Sequence, residues 1–467
     1  MTRVAARLLI TAAAAAMAAA CTKVGPDYQR PPLPTPPQYR FEENAAQAAS
    51  LADLPWWQVF DDPALQTLLR DAVANNLDLR IAAARVDQLR AQAGIVKSFL
   101  YPQVDGTASY SQIGASSTPP GESTVRQSGV FGFQLSWEWD LFGRIARQHE
   151  AALAAVLASE QGRRGVLVTL VGDVASSYFL LRQLDQQLTI ARETLQINDQ
   201  TVQYFRDRLD GGVSNRLELD RIQALRSETA ASIPIFEQEI AQTENAMSLL
   251  LGRPPGPIAR DQTNQMAAPP PAIPAGIPAT LLERRPDVLE AEQLLVASNA
   301  DIGAAKALFY PSIGLTAFGG GVAGEIATLL NGSGFVWSLG AGLIQPIYNA
   351  GRNKRNLEAS QAQFQQALYA YQRAALNGYR EVADALIAIQ KLAAQRVERE
   401  AGVTVLQDAA TLARDRYDSG LASYIEILTA DQDLFQQQLL LADTRGAELR
   451  ARAEFYRALG GGWQQQP

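Results

Sequence analysis

Residues Arg206–Asp220 read "RDRLDGGVSNRLELD", and 208 residues further on Arg414–Leu428 read "RDRYDSGLASYIEIL". The same polar turn is spelled twice, and its surroundings repeat with it. "DLRIAAARVDQLRAQAGIVKSFLYPQV" from Asp78 aligns with "DVLEAEQLLVASNADIGAAKALFYPSI" from Asp287, placing Gly94 on Gly303, Lys97 on Lys306, Tyr101 on Tyr310 and Pro102 on Pro311. "GRIAR" at Gly143 aligns with "GRNKR" at Gly351, so Arg147 falls on Arg355. A period this long marks one duplicated unit, not a solenoid of short repeats.

Each half carries the same order: a helical stretch, a strand, a polar loop, a second strand, a very long helix, the turn, and a shorter helix. Pro-rich stretches, "VGPDYQRPPLPTPPQYR" and "GRPPGPIARDQTNQMAAPPPAIPAGIPAT", precede and separate the halves; proline lacks a backbone donor and locks φ, so these are extended connectors. The expected divisions are a signal peptide over 1–20 and a lipidated N-terminus with its Pro-rich linker over 21–62. A first repeat follows over 63–251, with strands near 101–111 and 130–142 and a helical hairpin near 144–251. After a linker at 252–285 comes a second repeat over 286–460, with strands near 310–318 and 335–348 and a hairpin near 352–459, then a tail at 461–467.

The strands alternate. Phe131, Phe133, Leu135, Trp137 and Trp139 share one face, and Gly132, Gln134, Ser136, Glu138 and Asp140 the other. Val104, Gly106, Ala108 and Tyr110 likewise oppose Asp105, Thr107, Ser109 and Ser111; in the second half Phe335, Trp337, Leu339, Ala341 and Leu343 oppose Val336, Ser338, Gly340 and Gly342. Half of a soluble sandwich would show the same beat. Two features favour a membrane wall instead. Each strand is about ten residues long, enough to cross hydrocarbon when tilted, and Tyr101, Trp137, Trp139, Phe142, Tyr310, Trp337 and Tyr348 supply an aromatic belt. Four strands cannot close a barrel, and open edges are not tolerated in lipid, so several copies must share one wall. The segments "SQIGASSTPPGESTVRQS" and "GGGVAGEIATLLNGSG" are expected as extracellular loops.

No proline occurs between Gly143 and Pro234, or between Gly351 and Pro467. An unbroken helix from Arg144 to Leu209 would be about 100 Å long. Leu188, Ala191, Leu195, Asn198, Val202, Phe205 and Leu209 step by three and four, as do Leu421, Ile425, Leu428, Gln432, Phe435, Leu439 and Ala442. That is coiled-coil spacing. The repeated turns then become the tips of two antiparallel hairpins, with Gly212 and Gly420 at φ > 0 and Asp210, Asp418 and Ser214 as turn and capping residues.

Composition narrows the function. Net charge is −7, which gives no footprint for nucleic acid. One cysteine, Cys21, and one histidine, His149, exclude a disulfide framework and a Cys/His metal cluster within the chain, and His149 reads as a surface residue. No acid, base and nucleophile constellation suggests catalysis. "MTRVAARLLITAAAAAMAAAC" has the basic, apolar and small-residue order of an export signal, with an apolar run too short to span a bilayer. Cys21 after small residues resembles a lipoprotein processing site, although Ala18 stands where Leu is usual; an ordinary signal peptide with an incidental cysteine is the alternative. Thr22, not being Asp, directs such a lipoprotein to the outer membrane.

Taken together, "CTKVGPDYQRPPLP", "WWQVFDDPALQTLLRDAVANNLDLRIAAARV", both "YP" strand starts and both turns make the chain resemble the outer-membrane factors of tripartite efflux pumps, the TolC-like and OprM-like channels, in their lipoprotein branch. The resemblance implies a mixed α+β membrane protein. In it, a homotrimer builds a twelve-stranded outer-membrane β-barrel continued by a periplasmic α-helical coiled-coil barrel. It implies no enzymatic activity and no cofactor beyond a covalent lipid on Cys21. The implied location is the outer membrane, lipid-anchored and extending into the periplasm. The implied partners are a periplasmic adaptor, docking at Asp210, Gly211, Gly212, Val213 and Ser214 and at Asp418, Ser419, Gly420, Leu421 and Ala422, and an inner-membrane transporter, usually proton-driven. The cargo would be drugs or other small molecules. A polypeptide-export channel shares this architecture, and a pore-less periplasmic scaffold is the remaining alternative.

In that family, carboxylate rings near the second tip narrow the closed aperture. Glu426 keeps one ring; the next family carboxylate falls on Thr429 and a family arginine on Gln432, so Asp431 or Asp433 is left to supply the missing charge. The expected gate is Glu426 with Asp431 or Asp433, with Tyr417 latching the tip. Ordinary solvated helix charges are the alternative reading of these acids.

Overall fold

The computed structural model describes residues 23–41, 62–116, 123–260, 282–324 and 334–461. The signal peptide and Cys21 lie outside the described residues, as do 42–61, the tips of both strand hairpins and most of the linker between the repeats.

The duplication is visible in element lengths. Helix α1 (Pro63–Asn75) and α2 (Leu77–Ser98) lead into β1 (Gln103–Ser116) and β2 (Ser123–Trp139), then α3 (Arg144–Asp210) and α4 (Arg216–Leu250). The second half runs α5 (Pro286–Ala307), β3 (Ser312–Ala323), β4 (Phe335–Ile344), α6 (Arg352–Asp418) and α7 (Tyr424–Ala458). Both long helices have 67 residues and both return helices 35. The helical stretch expected at the start of the first repeat is broken at Asn76. Its carboxamide oxygen accepts the Leu79 amide at 2.9 Å, capping α2, while its nitrogen donates to the Leu250 carbonyl at 2.9 Å. Asp62 caps α1 through the Ala64 and Leu65 amides, with Pro63 at the first helical position.

The four strands form one antiparallel sheet in the order β1-β2-β3-β4. β1 and β2 pair without interruption from Gln103↔Ser136 to Ser116↔Ser123. Much of the segment expected as an extracellular loop is therefore strand: 111–116 and 123–128 pair although they carry no apolar alternation. The Ser- and Gln-rich end of the hairpin has no greasy face to reveal it, yet its backbone groups satisfy one another across the ladder. β3 likewise extends through Gly319–Gly321, where the sequence suggested a loop. β4 ends at Ile344, short of the expected 348. Phe131, Phe133, Trp139, Val104, Phe335, Trp337, Leu339 and Leu343 stand exposed, so the apolar face has no protein covering it among the described residues.

Glycine sets the spacing of the central strands. Gly132 pairs with Gly320, and a Cβ on Gly132 would lie 2.6 Å from the Gly319 carbonyl oxygen; one on Gly320 would lie 2.3 Å from that of Phe131. The neighbouring Gly319 faces open space.

The chain divides into two compact units, each drawing on both repeats: 1–32, 84–160 and 290–372 in one, 33–83, 161–289 and 373–467 in the other. The first contains the sheet. The second contains a core of Leu65, Leu69, Val174, Tyr178, Leu181, Met247, Val382, Ala453, Phe455 and Tyr456. Helix α3 includes an 18-residue window of mean hydropathy 1.3, half of it buried within the protein. Its Val171, Val174, Ala175, Tyr178 and Leu181 belong to this core, which accounts for a stretch apolar enough to cross a membrane.

Gly320→Ala is expected to destabilise the detergent-solubilised protein by about 1–3 kcal/mol through overpacking against β2, whereas Gly319→Ala is expected to leave the urea midpoint unchanged. Equal midpoints for the two variants would contradict the close approach.

Candidate gate at the helical tips

Both tips are built by the same backbone motif. Gly212 has φ +71°, and the Val213 and Gly212 amides reach back to the Arg208 and Leu209 carbonyls at 2.9 and 3.0 Å. Gly420 has φ +73°, and the Leu421 and Gly420 amides reach the Arg416 and Tyr417 carbonyls at 2.8 and 2.9 Å. This paired closure satisfies the last carbonyls of each long helix and requires a left-handed residue, which glycine supplies without strain. Val213 and Leu421 follow the glycines and stand exposed. The capping expectation needs correcting: Asn215, not Ser214, caps α4 by accepting the Glu218 amide at 3.0 Å, while the Ser214 hydroxyl donates to the Glu218 carboxylate at 2.6 Å.

The first hairpin packs as the spacing predicts, with Ala191, Asn198 and Phe205 buried. Buried Asn198 donates to the Thr229 hydroxyl at 3.0 Å, and that hydroxyl donates to the Leu225 carbonyl, so the polar break in the seam is satisfied. The second seam is shifted. Leu421, Ile425 and Gln432 are exposed, and the packed line on α7 is Tyr424, Ile427, Asp431 and Phe435. Apolar Leu421 and Ile425 misled the periodic reading because Asp431 occupies a packed position that no hydrophobicity pattern would choose.

An aromatic cluster joins the two hairpins. Phe205 of α3 meets Tyr424 of α7 with ring centroids 3.9 Å apart, and Tyr417 lies 5.6 Å from Tyr424 and 6.1 Å from Phe205. Leu219, Ile222, Ala413 and Ile427 complete the cluster. Arg208 donates to the Tyr204 hydroxyl at 2.9 Å and its guanidinium lies over the Tyr204 and Tyr417 rings, at 5.5 and 5.6 Å from their centroids. Tyr417 thus stands in the junction between hairpins. Sequence reasoning missed Phe205, Tyr424 and Arg208 as a unit, since they come from both repeats and only the fold brings them together. Truncating a buried Phe costs about 3–5 kcal/mol, against about 0–1 kcal/mol for an exposed ion pair such as Arg416–Glu426 at 3.7 Å. The cluster therefore outweighs such an ion pair in holding the two hairpins together.

The acidic candidates separate onto two faces. Glu426, Thr429 and Asp433 follow one another at i, i+3 and i+7 and are exposed, forming a single line on α7. Glu426 also lies in the first turn of α7, where the helix dipole favours an anion. Asp431 lies on the packed face, its side chain 15% exposed, and holds Arg414 at 2.7 Å. Asp431 therefore does not share a surface with Glu426. Burial pushes the Asp431 carboxyl above its ordinary range, and Arg414 offsets part of that. The Tyr424 hydroxyl is buried without a hydrogen-bond partner among the described residues, and burial first, then the Asp431 charge, pushes its pKa up. No group of three or more His, Cys, Asp or Glu residues able to hold a metal ion occurs among the described residues.

At the foot of the sheet, Tyr101, Trp139, Tyr310 and Tyr348 are exposed, while Phe142 stacks on Tyr310 at 4.8 Å; Trp337 is also exposed but pairs with Gly319, towards the hairpin end of β4 and away from the foot at Ile344. Trp137 is half-buried and its indole donates to the Leu100 carbonyl at 3.1 Å.

The sequence pattern of the outer membrane efflux protein family matches residues 68–253 and again 277–461, once for each repeat. The chain belongs to that family. It is similar to the "Cation efflux system protein CusC" of Escherichia coli (strain K12), 36% identical over 450 residues that cover 96% of this chain and 98% of that protein. It is similar to the "Probable outer membrane lipoprotein SilC" of Salmonella typhimurium, 34% identical over 447 residues, 95% of this chain and 96% of that one. Among solved structures, the outer-membrane channel OprN superposes with a TM-score of 0.87 at 29% identity, covering 95% of this chain and 100% of that one. This efflux protein is thus a mixed α+β, internally duplicated channel of the outer membrane, serving an efflux pump. Its relatives are channels and transporters, not enzymes.

A carboxyl whose folded pKa lies above its unfolded value binds protons more tightly when folded, so it adds stability as pH falls and loses it as pH rises through the folded pKa. Relative to Asp431→Asn, the wild-type tip is expected to be better protected at pH 4 than at pH 7, read as amide exchange over 424–431. A difference that is flat or reversed in sign would contradict the burial of Asp431.

Proposed function

We propose that three copies of the chain share one barrel wall of twelve strands, and that the helical tips form a gate on the water-filled path. The observation carrying this reading is the sheet itself. β1 and β4 are its outer strands, each paired on one side only among the described residues, and every residue of β4 is exposed. Unpaired backbone groups in hydrocarbon cost several kcal/mol each. Pairing β1 of one copy with β4 of the next satisfies them all, and the exposed aromatics at the strand feet then sit at the membrane boundary. Acylation of Cys21 would anchor each copy.

In this reading the acidic line Glu426 and Asp433, with Thr429 between them, faces the aperture, and three-fold repetition turns each position into a ring. Fixed negative charge in a narrow water path favours cations. Asp431 is assigned instead to the hairpin's own packing, and Tyr417 to the aromatic junction that holds the tips together. A periplasmic adaptor docks at 210–214 and 418–422, where exposed Val213 and Leu421 offer apolar contacts. An inner-membrane transporter supplies the energy and selects the cargo, a small solute or ion.

The test is single-channel recording in planar bilayers. Glu426→Gln with Asp433→Asn is expected to abolish cation preference, while Asp431→Asn is expected to retain it. A double variant with unchanged selectivity would remove these two residues from the gate.

A further inference from the structure

The duplication supplies an internal comparison, because three pairs of matched residues have opposite surroundings in the two halves. Arg147 and Arg355 are equivalent, and each bridges a glutamate three residues on, Glu150 and Glu358. Yet the Arg147 side chain is 2% exposed and that of Arg355 is 79% exposed. Gly303 and Gly94 are equivalent; a Cβ on Gly303 would lie 2.8 Å from the Val24 carbonyl oxygen and 2.9 Å from the Arg147 side chain, whereas one on Gly94 would meet nothing within 4 Å. Gly143 and Gly351 are equivalent and both have positive φ, +76° and +82°; a Cβ on Gly143 would lie 3.1 Å from the Lys23 Cα, and one on Gly351 would again meet nothing. The fold repeats, so the fold does not explain the difference. What differs is residues 23–30, which occupy the first site and have no counterpart at the second among the described residues.

This segment is held along its length. The Val24 amide donates to the Phe142 carbonyl at 3.2 Å. Arg147 donates to the Val24 carbonyl at 3.3 Å, the Gly25 carbonyl at 3.4 Å and the Asp27 carboxylate at 3.0 Å. Asn299 donates to the Pro26 carbonyl at 3.0 Å. Further on, Arg30 bridges Glu292 at 2.8 Å and donates to the Tyr371 hydroxyl at 3.3 Å. Gly25 has φ +112°, and a Cβ there would lie 2.4 Å from the Gly303 Cα. Two glycines in mutual contact let the strap lie flat on α5, and a buried arginine uses its donors to fix the strap's carbonyls. A buried guanidinium with its partner removed is costly, so the strap and the seat depend on each other.

We propose that residues 23–30 are an anchor clasp: Gly143, Arg147, Asn299 and Gly303 form a seat for the segment behind the membrane anchor, so that the anchor is held at the foot of β2 and does not trail on a free tether. Lys23 is two residues from Cys21, at most about 7 Å of chain. It touches Gly143 directly after Phe142, whose ring stacks on Tyr310 at the sheet's foot. The clasp gives the two halves of each copy different roles, with one seat filled and its duplicate open among the described residues. The anchoring role rests on the reading of Cys21 as acylated; the seat does not.

The experiment is trypsin cleavage after Lys23 in the full mature protein in detergent, followed by intact mass, with rates normalised to free peptides of the same sequences. Cleavage requires the strap to leave its seat and detaches residues 21–23 with any acyl group. Gly25→Val and Gly303→Val are each expected to raise the rate on the order of tenfold or more, while Gly94→Val, at the open duplicate, leaves it at the wild-type value. Wild-type cleavage at the free-peptide rate, or equal rates in wild type, Gly25→Val and Gly303→Val, would overturn the clasp. An unacylated wild-type mass with a protected segment would overturn the anchoring role and the Cys21 reading together, while the seat would stand.

Discussion

A backbone in hydrocarbon has no water to bond to, and this chain brings four strands with two open edges into that environment. The rest of the structure follows from that constraint. The apolar residues of the strands face outward because lipid is their solvent, and the polar residues between them face the enclosed water. Since one copy cannot close the wall, the helices must also be shaped to meet copies of themselves. Two similar halves in each chain, with 67-residue and 35-residue helices repeated to the residue, provide near-identical elements for such contacts.

The two halves differ where function requires a difference. At the tips, equal backbone turns carry unequal side chains. The first hairpin contributes Phe205 and Arg208, the second Tyr417 and Tyr424, and only together do they form the aromatic junction. The second hairpin alone carries the exposed line of Glu426 and Asp433. Separating the two hairpins has to disrupt the apolar junction more than any surface ion pair, because burial of aromatic area outweighs exposed charge by several kcal/mol. In the unit that contains the sheet, the strap separates the halves again by burying Arg147 and leaving Arg355 exposed among the described residues.

Much of this was legible in the sequence, and the exceptions have physical causes. The strands around Trp137 and Trp337 declared themselves because alternation has a strict period of two. The ends of β1 and β2 did not, since Ser, Gln and Thr pair through backbone groups that leave no trace in hydrophobicity. The tips were readable because Gly212 and Gly420 answer a conformational need. The second seam was misplaced because Asp431, neutralised in part by Arg414, fills a packed position while Leu421 and Ile425 stand exposed. The strap's seat had one signal, the repeated Gly and Arg of "GRIAR" and "GRNKR", but only coordinates show that one copy is filled and the other open.

The central claim is that the sheet edges are closed by other copies of the same chain. Native mass spectrometry of the mature protein released from detergent micelles measures this directly. The account predicts a species of three chains as the smallest folded assembly. A folded single chain, stable in buffer without detergent, would contradict it.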